Sequence, residues 1–170
     1  VKQLLKLSSF LTLALLISSG CAVNSGNGDS LDIQDAYVGD LFEFKDAYVG
    51  DASAVLNIVS QLKSADHFQR FELKTAEEPY GMILNYGNET TTEQETKNTA
   101  IYNATFLYTL IRNAELITFK FAEQEHTITR VDLENWYGKD LREVQSEDEV
   151  KSLLQKYVND EEMVNQLVTE

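Results

Sequence analysis

Two histidines, eight tyrosines, one tryptophan, one cysteine and 28 carboxylates are the side chains from which this 170-residue chain could build chemistry. His67 and His126 fall on different predicted elements, and a zinc site would need further His, Cys or carboxylate ligands at fitting positions. No metal is therefore expected, and His126, beside a turn, reads as an exposed polar residue. Ser60-Gln61-Leu62-Lys63 has the Ser-x-x-Lys spacing of a nucleophile and its base. On a helix, however, residues three apart meet through pitch alone. There is no Gly-x-Ser-x-Gly elbow and no Gly-rich phosphate loop ahead of a helix. Carboxylates are so many that no single pair points to acid–base work. No catalytic residue and no cofactor is assigned. The aromatics say more: Tyr80, Tyr86, Tyr102, Tyr108 and Trp136-Tyr137 could line a groove, since amphipathic rings suit recognition surfaces. Equally, they could roof a sheet with their hydroxyls at its rim.

The lone cysteine closes a different pattern. Lys2 and Lys6 lead an apolar run through Leu7, Phe10, Leu11 and Leu13 to Ile17, which ends Ser18-Ser19-Gly20-Cys21. A positive lead, an apolar segment and small residues make a secretory signal. The run is shorter than the roughly 20 residues that span a bilayer. Its end resembles the lipobox of bacterial lipoproteins, in which the cysteine thiol receives a diacylglycerol group and becomes the mature N-terminus. An ordinary signal that leaves a free thiol is the alternative. On the lipobox reading Cys21 is the lipidation site, and the protein sits on the extracytoplasmic face of the cell membrane, held there by acyl chains such as palmitate.

Charge narrows the partners. Removing residues 1–20 takes away two lysines and lowers the net charge from −14 to −16. Nucleic acid demands a basic face, so none is expected as a partner. Anionic lipid repels such a chain, which leaves membrane attachment to the lipid on Cys21; two acyl chains suffice for that. A single cysteine allows no disulfide within one copy, so the fold must rest on packing.

Four stretches follow: 1–20 as signal peptide, 21–45 as lipidated N-terminus and flexible tether with a spare repeat copy, 46–144 as an α+β domain, and 145–170 as a C-terminal helical extension. The repeat is Asp35-Ala36-Tyr37-Val38-Gly39-Asp40, which recurs as Asp46-Ala47-Tyr48-Val49-Gly50-Asp51. Two copies do not make a solenoid. The second should be the built-in one, because it leads into a helix over 52–63 with Val55, Ile58, Val59 and Leu62 on one face and Asp51 as cap. Phe68, Phe71 and Leu73 then a turn at Glu78-Pro79, and Met82–Tyr86, read as a hairpin. Asn88–Asn98 is polar and reads as an exposed loop. A second helix is predicted over 99–113, then strands Leu116–Phe121 and His126–Val131 around a turn at Glu123–Glu125. Asp132 is the expected cap of a short helix that Gly138 ends. Ser146-Glu147-Asp148-Glu149 is a capping box, with Met163, Val164 and Leu167 in a tail helix. The order helix, strand, strand occurs twice. It predicts a four-stranded antiparallel sheet from two helix-strand-strand units, helices packed on one face, and an extra C-terminal helix.

Tyr48–Val55, Phe71–Thr75 with Glu78–Gly81, Tyr102–Ile111 and Glu115–Phe119 resemble the domain of unknown function 4825 family of Gram-positive bacteria, over roughly Asp46 to Val144. The resemblance implies lipoproteins, or extracytoplasmic parts of antirepressor-type membrane metallopeptidases. It implies a binding or sensing role in the envelope, with an envelope protein or ligand as partner and no catalytic assignment to transfer. The chain has no His-Glu-x-x-His segment, so peptidase activity does not follow. The alternatives are an envelope-acting enzyme with a carboxylate site, and a structural envelope lipoprotein without a specific ligand.

Overall fold

A computed structural model describes residues 40–87, 91–158 and 160–168. Cys21, the apolar run ahead of it and the first repeat copy through Gly39 lie outside the described residues.

Local chemistry sets the first elements. The Asp51 carboxylate accepts from the Ser53 and Ala54 amides at 3.1 and 3.0 Å. Helix α1 (Ala52–Val59) therefore starts where predicted, and it buries Ala54, Val55, Ile58 and Val59. It stops short of Lys63. The side chains of Ser60 and Gln61 both bond back to the Asn57 carbonyl, at 3.0 Å each, which competes with another helical turn. Strands β1 (Phe68–Lys74) and β2 (Gly81–Tyr86) form the predicted hairpin.

Helix α2 (Glu93–Leu110) begins six residues before the predicted Thr99, inside the stretch expected as a loop. Its start is a capping box: the Thr92 hydroxyl takes the Glu95 amide, and the Glu95 carboxylate takes the Thr92 amide at 2.6 Å. Thirteen of its residues are buried, so it is the element around which the others pack. Strands β3 (Leu116–Lys120) and β4 (Glu125–Thr129) follow.

The architecture is α+β, with four strands in the order β1-β2-β3-β4. The two outer pairs are antiparallel as predicted, but the central pair β2–β3 is parallel. The reason is length. An 18-residue helix rises about 27 Å, enough to return the chain past the six residues of β2, so that β3 starts at the same end. Met82, Leu84, Ile117, Phe119, His126 and Ile128 point to the helices, while the row Glu72, Ile83, Thr118, Thr127 lies on the other face.

Arg130, predicted within β4, is instead the first residue of α3 (Arg130–Tyr137). Thr129 and not Asp132 is the cap, its hydroxyl taking the Asp132 amide at 3.1 Å. Gly138 ends α3 in the left-handed region, φ +66°. Helix α4 (Glu147–Tyr157), capped by Ser146, and α5 (Glu161–Leu167) complete the chain. Leu41 at one end and Val150, Leu154, Val164 and Val168 at the other join one core. The boundaries expected at 46 and 145 therefore do not divide it. The last five residues of the stretch assigned to the tether, Leu41–Lys45, contribute Leu41, Phe42 and Phe44 to the packing.

Candidate functional site

The C-terminal end of α2 is buried, and a buried helix end needs donors for its last carbonyls. Arg130, 1% exposed, supplies one of them and two more for the connection that follows. Its guanidinium donates to the carbonyls of Ala114 (2.8 Å), Tyr108 (2.9 Å) and Ile111 (2.7 Å), and also meets Glu134 at 3.2 Å. Lys45 donates to the carbonyls of Thr109 and Arg142 at 2.8 and 3.0 Å, and burial lowers its pKa. Both cations also complement the negative end of the helix dipole.

Beyond that end, the connection Ile111–Glu115 is gripped by three other segments. The Arg112 amide donates to Ala47 (2.9 Å), the Glu115 amide to Tyr80 (2.8 Å), and the Arg130 amide to Glu115 (3.0 Å). Gly81 is part of this closeness: a Cβ there would lie 2.0 Å from the Leu116 carbonyl oxygen. The second repeat copy is seated here, with Val49 buried, its amide on Asn113 Oδ1 at 2.8 Å, and Ala47 bridging Ile111. Asp46 takes a left-handed φ of 67° to enter that seat, which costs a residue with a Cβ about 1–2 kcal/mol.

Two large apolar side chains are exposed on the segments that grip this connection: Tyr48, 53% exposed, next to Ala47, and Val131, 59% exposed, next to Arg130. The exposed Arg112 guanidinium lies over the Tyr48 ring, 5.4 Å from its centroid. It makes no hydrogen bond or ion pair with the described residues. Tyrosine and arginine are the residue types that carry most energy at interfaces.

The six aromatics expected to line a groove do not do so. Tyr86, Tyr102, Tyr108 and Tyr137 are core residues, at most 6% exposed. The Tyr86 hydroxyl accepts from Asn103 Nδ2 (3.0 Å), Tyr108 donates to the Ile128 carbonyl (2.6 Å), and Tyr137 pairs with Thr105 (2.9 Å). Burial raises the pKa of all four, that of Tyr102 to about 12. Trp136 is half-buried and packs with Tyr137 and Tyr157, ring centroids 4.9 and 5.1 Å away, while its Nε1 donates to the Met163 carbonyl. That cluster ties α3, α4 and α5 together. Only Tyr80 belongs to the α2–β3 connection, through its carbonyl. Helical spacing showed that these rings share faces; it could not show which faces the fold covers.

His126 is buried, 7% exposed, and not the exposed polar residue expected. It sits on the inner face of β4, its Nε2 2.8 Å from Thr96 Oγ1. Burial first, then the Lys97 charge, lowers its pKa; Glu93 opposes them. A hydroxyl beside an imidazole has the shape of a nucleophile and base, but the wiring is reversed. Thr96 Oγ1 also meets the Glu93 carbonyl (2.8 Å) and Gln124 Oε1, both of which can only accept. One hydroxyl proton serves those acceptors, so His126 Nε2 donates to Thr96. At 2% exposure Thr96 is closed to substrate. Nor do Ser60 and Lys63 pair: Ser60 Oγ donates to Asn57, and Lys63 lies over the Tyr102 ring at 4.8 Å. Among the described residues no group of three or more His, Cys, Asp or Glu is placed to hold a metal ion.

Residues 41–132 match the model of a family described as a domain of unknown function, DUF4825. The chain belongs to this family. The DUF4825 match takes in the second repeat copy and leaves out the first, and it spans the whole α2–β3 connection from its Tyr48 flank to Arg130. No curated protein and no solved structure matches the chain. The DUF4825 segment ends within α3, yet α4 and α5 complete its core.

Proposed function

We propose that this DUF4825 chain is a lipid-anchored, extracytoplasmic binding or sensing module of the cell envelope that performs no chemistry of its own. The carrying observation is the α2–β3 connection. It is immobilised by hydrogen bonds from three segments, yet its Arg112 is exposed and lies over the exposed Tyr48 ring. A preorganised aromatic–arginine pair binds without a large ordering cost. The Thr96–His126 pair, closed and donating the wrong way, supports a role without catalysis. The run that ends at Cys21 supports the anchor, as does a net charge of −14, which gives anionic lipid nothing to attract. No helix among the described residues is long and apolar enough to cross a membrane.

The test places a photoreactive amino acid at Tyr48 and, as control, at Gln69, which is exposed on β1. In intact cells Tyr48 should yield a discrete adduct and Gln69 none. Cys21→Ser should leave the membrane fraction or accumulate uncleaved. Membrane retention of a normally cleaved Cys21→Ser protein would refute the anchor, and absence of any adduct at Tyr48 would refute the binding surface.

A further inference from the structure

The strongest unassigned feature outside the core is Arg112, because among the described residues its guanidinium makes no hydrogen bond or ion pair, unlike the other cations near this end of α2. Arg130 and Lys45 spend their donors on buried carbonyls. Arg142 is paired with Asp140 at 3.1 Å. The Arg112 guanidinium lies over the Tyr48 ring and has no hydrogen-bond or ion-pair partner among the described residues.

We infer that the Tyr48–Arg112 pair is the recognition point for an isolated carboxylate, carried by a peptide segment of the partner. The inference rests on the binding-module reading above. A guanidinium presents a planar fork of N–H donors that matches a carboxylate with two parallel hydrogen bonds, and stacking on an aromatic ring holds that plane in place. Tyr48 is itself held from both sides: the Arg112 amide bonds to Ala47, the Val49 amide to Asn113, and the Asp51 amide to the Tyr48 carbonyl at 2.9 Å. The Tyr48 backbone therefore needs no ordering on binding; the arginine side chain does.

Charge decides the kind of anion. A chain of net charge −14 repels a run of phosphates or a polyacidic segment at long range. One carboxylate flanked by neutral and apolar residues meets less of that repulsion. The exposed Tyr48 ring offers such flanks apolar surface.

The experiment is a selection of random peptides, displayed with free C-termini, on the full chain held in detergent, beside Arg112→Gln and Arg112→Lys. Arg112 is exposed and its guanidinium makes no hydrogen bond or ion pair with the described residues, so both variants should keep the wild-type melting temperature. The wild type should enrich peptides with one Asp, Glu or terminal carboxylate at a fixed position between neutral residues, at least tenfold over Arg112→Gln. Arg112→Lys, which keeps the charge but loses the fork, should lose most of the enrichment. No consensus, a consensus without an acid, a polyacidic consensus, or one that survives Arg112→Gln overturns the inference. A Tyr48 adduct in cells without acid selection here would overturn the carboxylate alone and leave the binding module standing.

Discussion

Replacing Arg130 by methionine removes the main donor from the buried end of α2 while roughly keeping the volume. Three carbonyls, those of Tyr108, Ile111 and Ala114, lose bonds of 2.7–2.9 Å, and the half-buried Glu134 loses its cation. Exchanging a buried ion pair for apolar residues can be neutral when both partners go. Here the acceptors are backbone and cannot go, so the variant leaves polar groups stranded in a core position 1% exposed. Each stranded acceptor costs about 1–3 kcal/mol, and breaking a buried charged network typically totals about 3–5 kcal/mol. For a chain of this size that lowers the thermal midpoint by roughly 6–20 °C. Arg130→Lys, which restores a charge and some of the donors, should lose less. The assay is urea and thermal melts followed by circular dichroism. A loss below about 1 kcal/mol in Arg130→Met, or a lysine variant no better than methionine, would show that the carbonyls find other donors and that the cap is dispensable.

His126 makes stability depend on pH. Its folded pKa lies below the ordinary 6.5, so as pH falls the unfolded chain takes the proton first. Stability is full above about 6.5 and declines from there down to the folded value; His126→Gln should flatten that part of the profile, and identical slopes between pH 7.5 and 5 would contradict the burial argument. Deleting residues 35–45 puts Asp29-Ser30-Leu31-Asp32-Ile33-Gln34 where Asp40–Lys45 stood. Sequence alone makes one copy of the repeat spare, with a change within about 1 kcal/mol. The structure predicts otherwise: serine replaces Leu41, 2% exposed, and glutamine replaces the Lys45 that holds two carbonyls. A loss of about 2–5 kcal/mol in urea melts is expected, and an unchanged midpoint would restore the spare-copy reading. Trp136→Ala opens the ring cluster of α3, α4 and α5 and should destabilise by roughly 2 kcal/mol, less than a fully buried tryptophan; unchanged melts would return Trp136 to the list of recognition residues.

What the amino-acid sequence determined by itself is local. The Asp51 cap, the apolar face of α1, the Ser146 cap, both hairpins and the Gly138 stop were all readable, because each depends on residues within a few positions of one another. The first turns of α2 belong with them: Thr92 and Glu95 signal that start, though the polar stretch around them reads as a loop. The tertiary structure alone decided the rest. Whether Tyr86, Tyr108 and Tyr137 recognise a partner or fill the core depends on what α2 and the C-terminal helices cover, and no spacing within one element records that. The parallel central pair follows from how far α2 carries the chain back. Arg130 looked like a strand residue and His126 like an exposed one because their partners, the carbonyls at one end of α2 and Thr96 near the other, are 16 to 30 positions away. Tyr48 and Arg112 meet across 64 residues, since the chain closes that loop only when the second repeat copy docks beside Ile111. A surface made by such closure has no pattern along the chain; it exists only once burial has chosen which side chains remain outside.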